Sequence, residues 1–303
     1  MITLLHVSDL HFGPPYHSGV GESLQEFAAR LHPHAIIASG DFTQRAKPEQ
    51  FAAARAFLDR FPPVPVVVTP GNHDVPLLRV AERVFAPYRH YQRHLHAELD
   101  TVTRLPGVVI VALNSTAPLR ATVNGRIHRW QLDYAREAFS GLPDEVTRVV
   151  VAHHHFAPPP DFEGGDAMPQ AQRALDAFNA MKVDMIMGGH LHRSYIGNSL
   201  DVYAGVDREH GIVIVQSGTS TSRRGRARER EKNSLNVLRL DGRTIRVTHY
   251  MYFEDAGDFL PTSRHLFFRR GRPPLDAEGR AAVEAIFLDD RKEKRHDELE
   301  IRA

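Results

Sequence analysis

The sequence predicts a four-layer α/β sandwich, with two mixed β-sheets packed together and helices on their outer faces. Three observations predict it. Short apolar, β-branched runs alternate with longer amphipathic stretches through the first two-thirds of the chain, the rhythm of βα units. After about residue 210 the pattern becomes mostly strand-like. With 303 residues, 42% of them hydrophobic, there is material for a sizeable core, and two packed sheets accommodate both halves of the pattern.

In chain order, ITLLHV (2–7), AIIASG (35–40), VPVVVT (64–69), VVIVAL (108–113), RVVVAH (148–153) and VDMIMG (183–188) read as strands buried on both faces, because such continuous runs leave no polar side for water. Amphipathic stretches at 22–31, 48–60, 77–99, 129–140 and 169–180 read as helices between them, and Leu24, Phe27, Ala28 and Leu31 show the helical spacing of the first. GIVIVQSG, NSLNVLRL and TIRVTHYMYF read as further strands, with Asp241-Gly242 as a hairpin turn between the last two. One principal domain is expected over 1–255, with a helical insert at 75–105 that would partly cap the site. A C-terminal extension is expected over 256–303, comprising a surface linker (257–275), a helix and a charged tail.

Composition excludes several classes. The net charge of +1 gives no global field for nucleic acid or an anionic membrane. The absence of cysteine excludes disulfides and thiolate metal sites. MITLLHVSDLHFG lacks the basic start of a signal peptide, and no apolar run reaches the ~20 residues of a spanning helix. A cytoplasmic protein is the default expectation.

The ends of the strands carry the chemistry. The first delivers Asp9-Leu10-His11, the second Asp41, the third Asn72-His73-Asp74, the fifth His153-His154-His155, and the sixth His190-Leu191-His192. In α/β sheets the carboxyl edge of the strands is where ligand sites form. In extended backbone the partners of Asp9/His11 and of His190/His192 would point to one side. Each piece alone is an ordinary turn or cap; all five in this order, each after its own apolar run, point to a metal site. The inventory of carboxylate, imidazole and amide oxygen suits Mn, Fe, Zn, Co or Mg.

As a set, Asp9-Leu10-His11, Gly40-Asp41, Gly71-Asn72-His73-Asp74, His153-His154 and Gly188-Gly189-His190-Leu191-His192 resemble the signature of the calcineurin-like metallophosphoesterases over about residues 1–220. Within that superfamily the chain is most similar to the bacterial class III cyclic nucleotide phosphodiesterases. It departs from the pattern at Gln44, where an acidic residue is common, and in His-His-His-Phe where His-His-Pro is usual. The resemblance implies the metallophosphoesterase fold and two metal ions. Asp9, His11, Asp41 and His192 would hold the first, and Asp41, Asn72, His153 and His190 the second, with Asp41 bridging and His154 as the fallback ligand. Two such ions, ~3.5–4 Å apart, clamp a phosphoryl group for in-line displacement and lower the pKa of a bridging water. His73 would then be free of metal and able to donate a proton to the leaving oxygen. Asp74 would hold its imidazole in one tautomer. Asn72, His73 and His154 are the residues expected to face substrate.

The remaining features take simpler readings. His90, His94 and His96 are expected on an exposed helical face, and His32 and His34 at the surface. The basic run SRRGRARERE (222–231) reads as a solvated loop, with Glu229 and Glu231 offsetting some of its charge, rather than as a nucleic-acid stripe. The expected activity is phosphodiester hydrolysis, with cAMP as first candidate. The alternatives are a broad phosphodiesterase or nuclease, a phosphomonoesterase, and a non-catalytic metal-binding scaffold. With no Lys or Arg in the five motifs, diesters are expected to be preferred to dianionic monoesters. No membrane partner is expected, and a homodimer is the protein partner considered.

Overall fold

A computed structural model describes residues 1–119, 124–158, 167–203, 211–270 and Ala281. The elements in order are β1 (Ile2–Val7), α1 (Ser18–Leu31), β2 (Ala35–Ala38), α2 (Pro48–Leu58), β3 (Val66–Val68), α3 (Val80–Phe85), α4 (Arg89–His94), β4 (Thr101–Leu105), β5 (Val108–Ala112), α5 (Arg129–Phe139), β6 (Thr147–Val151), α6 (Ala171–Ala180), β7 (Met185–Gly188), β8 (Tyr195–Asn198), β9 (Val213–Gln216), β10 (Ser234–Leu240), β11 (Thr244–Phe253) and β12 (Asp258–Phe268). They build two six-stranded sheets, in the orders β12-β11-β10-β1-β2-β3 and β4-β5-β6-β7-β9-β8. Both are mixed: β1 runs parallel to β2 and antiparallel to β10, and β5 parallel to β6 and antiparallel to β4.

The two-residue period of the strands sorts their side chains into three cores. Leu5, Val7 and Ile36 turn outward to Leu24, Phe27, Phe51 and Phe57 of α1 and α2. Val109, Val111 and Val150 turn the other way, to Leu132, Phe139 and Phe178 of α5 and α6. Leu4, Ile37, Ile110, Val149, Met187 and Leu238 meet between the sheets. Helix, sheet, sheet and helix are therefore the predicted four layers, and each central strand is apolar on both faces because each face meets its own core.

Three expectations are corrected. The stretch read as a helical insert, 75–105, holds only the short helices α3 and α4 and then the edge strand β4. α4 is not an exposed face: Tyr91 is fully buried, and His90 and His94 stack on Phe51. The stretch read as a linker, 257–275, is strand as far as Phe268, and 271–275 lie outside the described residues. The chain divides into a unit of Met1–Phe267 and a unit of Phe268–Ala303. Apart from Ala281, the expected terminal helix and charged tail lie outside the described residues. Among the described residues no helix is long and apolar enough to cross a membrane.

Candidate metal centre

The carboxyl ends of β1, β2, β3, β6 and β7 bring all five polar segments to one place. The backbone there is not extended, as the sequence suggested. Asp9, His11, Asp41, His190 and His192 all have positive φ, between 50° and 74°. Asp and His tolerate this region better than most residues, yet each such residue costs of order 1–3 kcal/mol and persists only where its surroundings fix it. The fixing bonds are visible: Asp9 N–H donates to the Gly40 carbonyl at 3.0 Å and His11 N–H to the Asp41 carbonyl at 2.9 Å. Gly40, at φ 97°, lets the turn pass under the His153 ring, where a Cβ would collide with Nδ1. These turns aim both members of each Asp/His and His/His pair inward.

Asp9, His11, Asp41 and His192 are all buried, and their donor atoms lie within 4.8 Å of one another. His192 Nε2 is 3.1 Å from Asp9 Oδ1 and 3.1 Å from His11 Nε2. A second group adjoins the first through Asp41. His153 Nε2 lies 3.4 Å from Asp41 Oδ2 and 3.2 Å from Asn72 Oδ1, and His190 Nδ1 lies 2.9 Å from the same amide oxygen. His153, not His154, faces the carboxylates. His154 turns Nδ1 to Ser115 Oγ at 2.8 Å, and its ring packs against His153 and His190.

The donor set fits a cation. Asp9 Oδ1 and Asp41 Oδ2 are buried without a hydrogen-bond partner. The other oxygen of each is committed: Asp9 Oδ2 accepts from Ser8 Oγ and His190 N–H, and Asp41 Oδ1 from His73 N–H at 2.7 Å. The outer nitrogens of two of the imidazoles are also tied, His153 Nδ1 to the Ser39 carbonyl at 2.8 Å and His192 Nδ1 to the Arg224 carbonyl at 3.0 Å. A carbonyl only accepts, so both nitrogens donate and both Nε2 atoms present lone pairs inward when the rings are neutral. Against burial, the Asp41 carboxylate raises His153 to about 9, the mark of a buried negative charge that favours a positive partner. Burial instead lowers His11 to about 4 and His190 to about 3, leaving both neutral and ready to coordinate.

His73 stands beside the cluster, its ring 4.8 Å from that of His11. The partner that fixes it is not Asp74. His73 Nδ1 meets the Gln44 carbonyl at 2.9 Å. The Asp74 carboxylate accepts from the N–H groups of Gly71, Phe42 and Thr43 and from Thr43 Oγ, and so pins the loops after β2 and β3 together. The expected tautomer role of Asp74 is thus corrected: it orders backbone, and Gln44 orders the imidazole.

The Arg-rich segment is also more than a solvated loop. Besides the His192 contact, Arg226 N–H donates to the His192 carbonyl at 2.9 Å, and buried Glu229 accepts from Ser194 N–H and Ser234 Oγ. Arg224 Nη1 donates to Gln44 Oε1 at 2.9 Å. Sequence reasoning met Gln44 only as a departure from the family pattern and Arg224 only as part of a basic run, and it missed the bond between them. The signals were present, an amide in the Gly-Asp segment and a basic run, but nothing local joined them.

The calcineurin-like phosphoesterase family profile matches residues 2–194, well over half of the chain. A cAMP/cGMP dual specificity phosphodiesterase of Mycobacterium tuberculosis is 26% identical over 240 residues, covering 71% of each chain. A probable cyclic nucleotide phosphodiesterase of Rhodococcus erythropolis is 26% identical over 207 residues, covering 63% of this chain and 65% of that one. Among solved structures, a dimetal phosphatase from Danio rerio superposes with a TM-score of 0.61 at 11% identity, over 88% of this chain and 99% of that one, which shows a shared fold.

Proposed function

Because the chain belongs to the calcineurin-like phosphoesterase family, we propose that it is a dinuclear-metal phosphodiester hydrolase whose first candidate substrate is a 3′,5′-cyclic nucleotide, cAMP foremost. The observation that carries the reading is the pair of unpartnered carboxylate oxygens, Asp9 Oδ1 and Asp41 Oδ2, in a buried ring of imidazoles. Asp9, His11, Asp41 and His192 would hold one ion, and Asp41, Asn72, His153 and His190 the other. Mn, Fe, Zn and Co all suit these nitrogen and oxygen donors. When bound, such ions polarise the phosphoryl group and make hydroxide available near neutral pH. The substrate class is supported by the names of the two curated relatives. The cysteine-free composition is compatible with the cytoplasm, where we place the activity.

The chain's own residues supply the rest. His73 Nδ1 donates to the Gln44 carbonyl, so the proton that Nε2 holds when the ring is an imidazolium is the one it can give up. As hydroxide adds to phosphorus and the ester P–O bond breaks, the imidazolium Nε2 donates its proton to the departing oxygen, which leaves as an alcohol. Burial, opposed by Asp41, lowers the His73 pKa, which makes Nε2 a readier donor but leaves fewer molecules loaded as pH rises. The bond from His73 N–H to Asp41 Oδ1 ties the acid to the shared carboxylate, so neither shifts alone.

The test is a substrate panel on protein stripped by chelator and reloaded with single metals. Turnover of cyclic nucleotides and bis(4-nitrophenyl) phosphate that returns with metal is expected. Nucleic-acid cleavage without cyclic nucleotide turnover would replace this reading with a nuclease.

A further inference from the structure

We infer that Arg224 binds the phosphate of the substrate and that Gln44 is the residue that positions it, so that the site accepts dianionic phosphomonoesters as well as diesters. The inference rests on the phosphoester-hydrolase reading and adds the group that senses phosphate charge.

The loop that carries Arg224 is locked to the metal cluster. Thr221 Oγ1 donates to the Leu10 carbonyl at 3.0 Å, between Asp9 and His11. Arg223 N–H donates to the Pro15 carbonyl at 2.9 Å, and the Arg224 carbonyl and the Arg226 N–H clasp His192 from both sides. Glu229, buried, anchors the far end on Ser194 and Ser234. The backbone of Arg224 is therefore one hydrogen bond from a residue of the cluster.

Its side chain is fixed as well. Nη1 donates to Gln44 Oε1 at 2.9 Å, while the backbone carbonyl of the same glutamine holds His73 Nδ1 at 2.9 Å. One residue thus holds both the guanidinium and the imidazole, the first by its side chain and the second by its backbone. The Arg224 charge is felt at His73, and the Asp41 and Asp9 carboxylates act on Arg224 in turn. Both Arg224 and Gln44 are partly buried, with surface left to meet a ligand.

The choice of an amide matters. A guanidinium has five N–H donors in a fixed fork suited to two phosphoryl oxygens. Gln44 orients it without itself neutralising the charge, and among the described residues no carboxylate lies within ion-pair distance of Arg224. A monoester dianion calls for such a donor more than a diester does. The five sequence motifs contain none, and the tertiary structure brings one in from residue 224.

The test uses metal-loaded protein, with metal content measured in every variant. Inorganic phosphate is titrated calorimetrically, and kinetics are measured with 4-nitrophenyl phosphate and bis(4-nitrophenyl) phosphate. Arg224→Ala should weaken phosphate binding about 10-fold or more, the range expected for a lost hydrogen bond to a charged group. It should raise KM for the monoester more than for the diester. Gln44→Glu, which would neutralise the guanidinium, should act in the same direction. Arg224→Lys should restore part of the phosphate affinity, and Arg223→Ala should change nothing. Equal phosphate affinity and equal monoester KM in Arg224→Ala at full metal content would overturn the inference. Should that variant shed metal, Arg224→Lys and Gln44→Glu decide, and wild-type phosphate affinity in both overturns it. If the wild type cleaves neither ester, the hydrolase reading fails, while the phosphate titration still decides whether Arg224 binds phosphate.

Discussion

Replacing Gly71 by alanine should disable the centre through space alone. Gly71 has φ −103° and ψ 178°, which any residue adopts, so backbone strain plays no part. A Cβ there would lie under 3.0 Å from both Asp41 Oδ1 and the Asp41 backbone nitrogen, against 3.4–4 Å for ordinary contact. A side chain could swing away, but the backbone nitrogen belongs to a turn held by His11 N–H and cannot. Overpacking of this kind costs about 1–3 kcal/mol. For a domain of this size that is a fall in Tm of roughly 2–12 °C. The function should suffer more. Asp41 is common to both donor groups and also accepts from His73 N–H, and a shift of ~1 Å in such a constellation can cost ~10²-fold in rate. The assay pairs elemental analysis after metal loading with thermal unfolding and turnover of bis(4-nitrophenyl) phosphate. Gly242→Ala is the control, because a Cβ there meets nothing within 4 Å and its φ is not positive. If Gly71→Ala binds both ions, turns over normally and melts with the control, the reasoning about Asp41 is wrong.

Asp41→Asn should weaken both ions together, whereas His153→Ala should mainly empty one, as titration of metal content would show; loss of a single ion in Asp41→Asn would mean that the carboxylate is not shared. His73→Ala should keep its metal and lose about 10²–10⁴ in kcat on alkoxide-leaving substrates, with a smaller loss on nitrophenyl esters, and equal losses on both would remove its role as acid. His6, fully buried with Nε2 at 2.9 Å from Ser39 Oγ, is pushed by burial down to about 3, outweighing the pull of Asp9. Its folded-state pKa lies below the unfolded value near 6.5, so stability is present above that value and falls as pH drops. Between pH 7 and pH 5 the wild type should lose about 2 kcal/mol more than His6→Gln in denaturant titrations, and parallel curves would show that His6 is not the group responsible.

What the sequence determined by itself was whatever a single segment encodes. β1, β2, β3, β5, β6 and β7 were legible because most are apolar on both faces, each strand meeting two cores. The metal-competent residues were legible because each follows such a strand directly. The strands that escaped, β4, β8 and β12, are three of the four sheet edges. These three are half wet and carry no continuous apolar run, unlike the edge strand β3, and β12 even contains Pro261, which an edge tolerates because one row of N–H groups needs no partner. Tertiary structure alone decided the rest. It set the left-handed turns that aim Asp9, His11, Asp41, His190 and His192 inward, and it turned His153 rather than His154 toward Asp41. It moved Asp74 from the imidazole to the backbone of its neighbours, and it joined Gln44 to Arg224 across 180 residues of chain. Periodicity and spacing report on neighbours along the chain. A hydrogen bond between two distant loops exists only once the cores have packed and fixed where those loops meet.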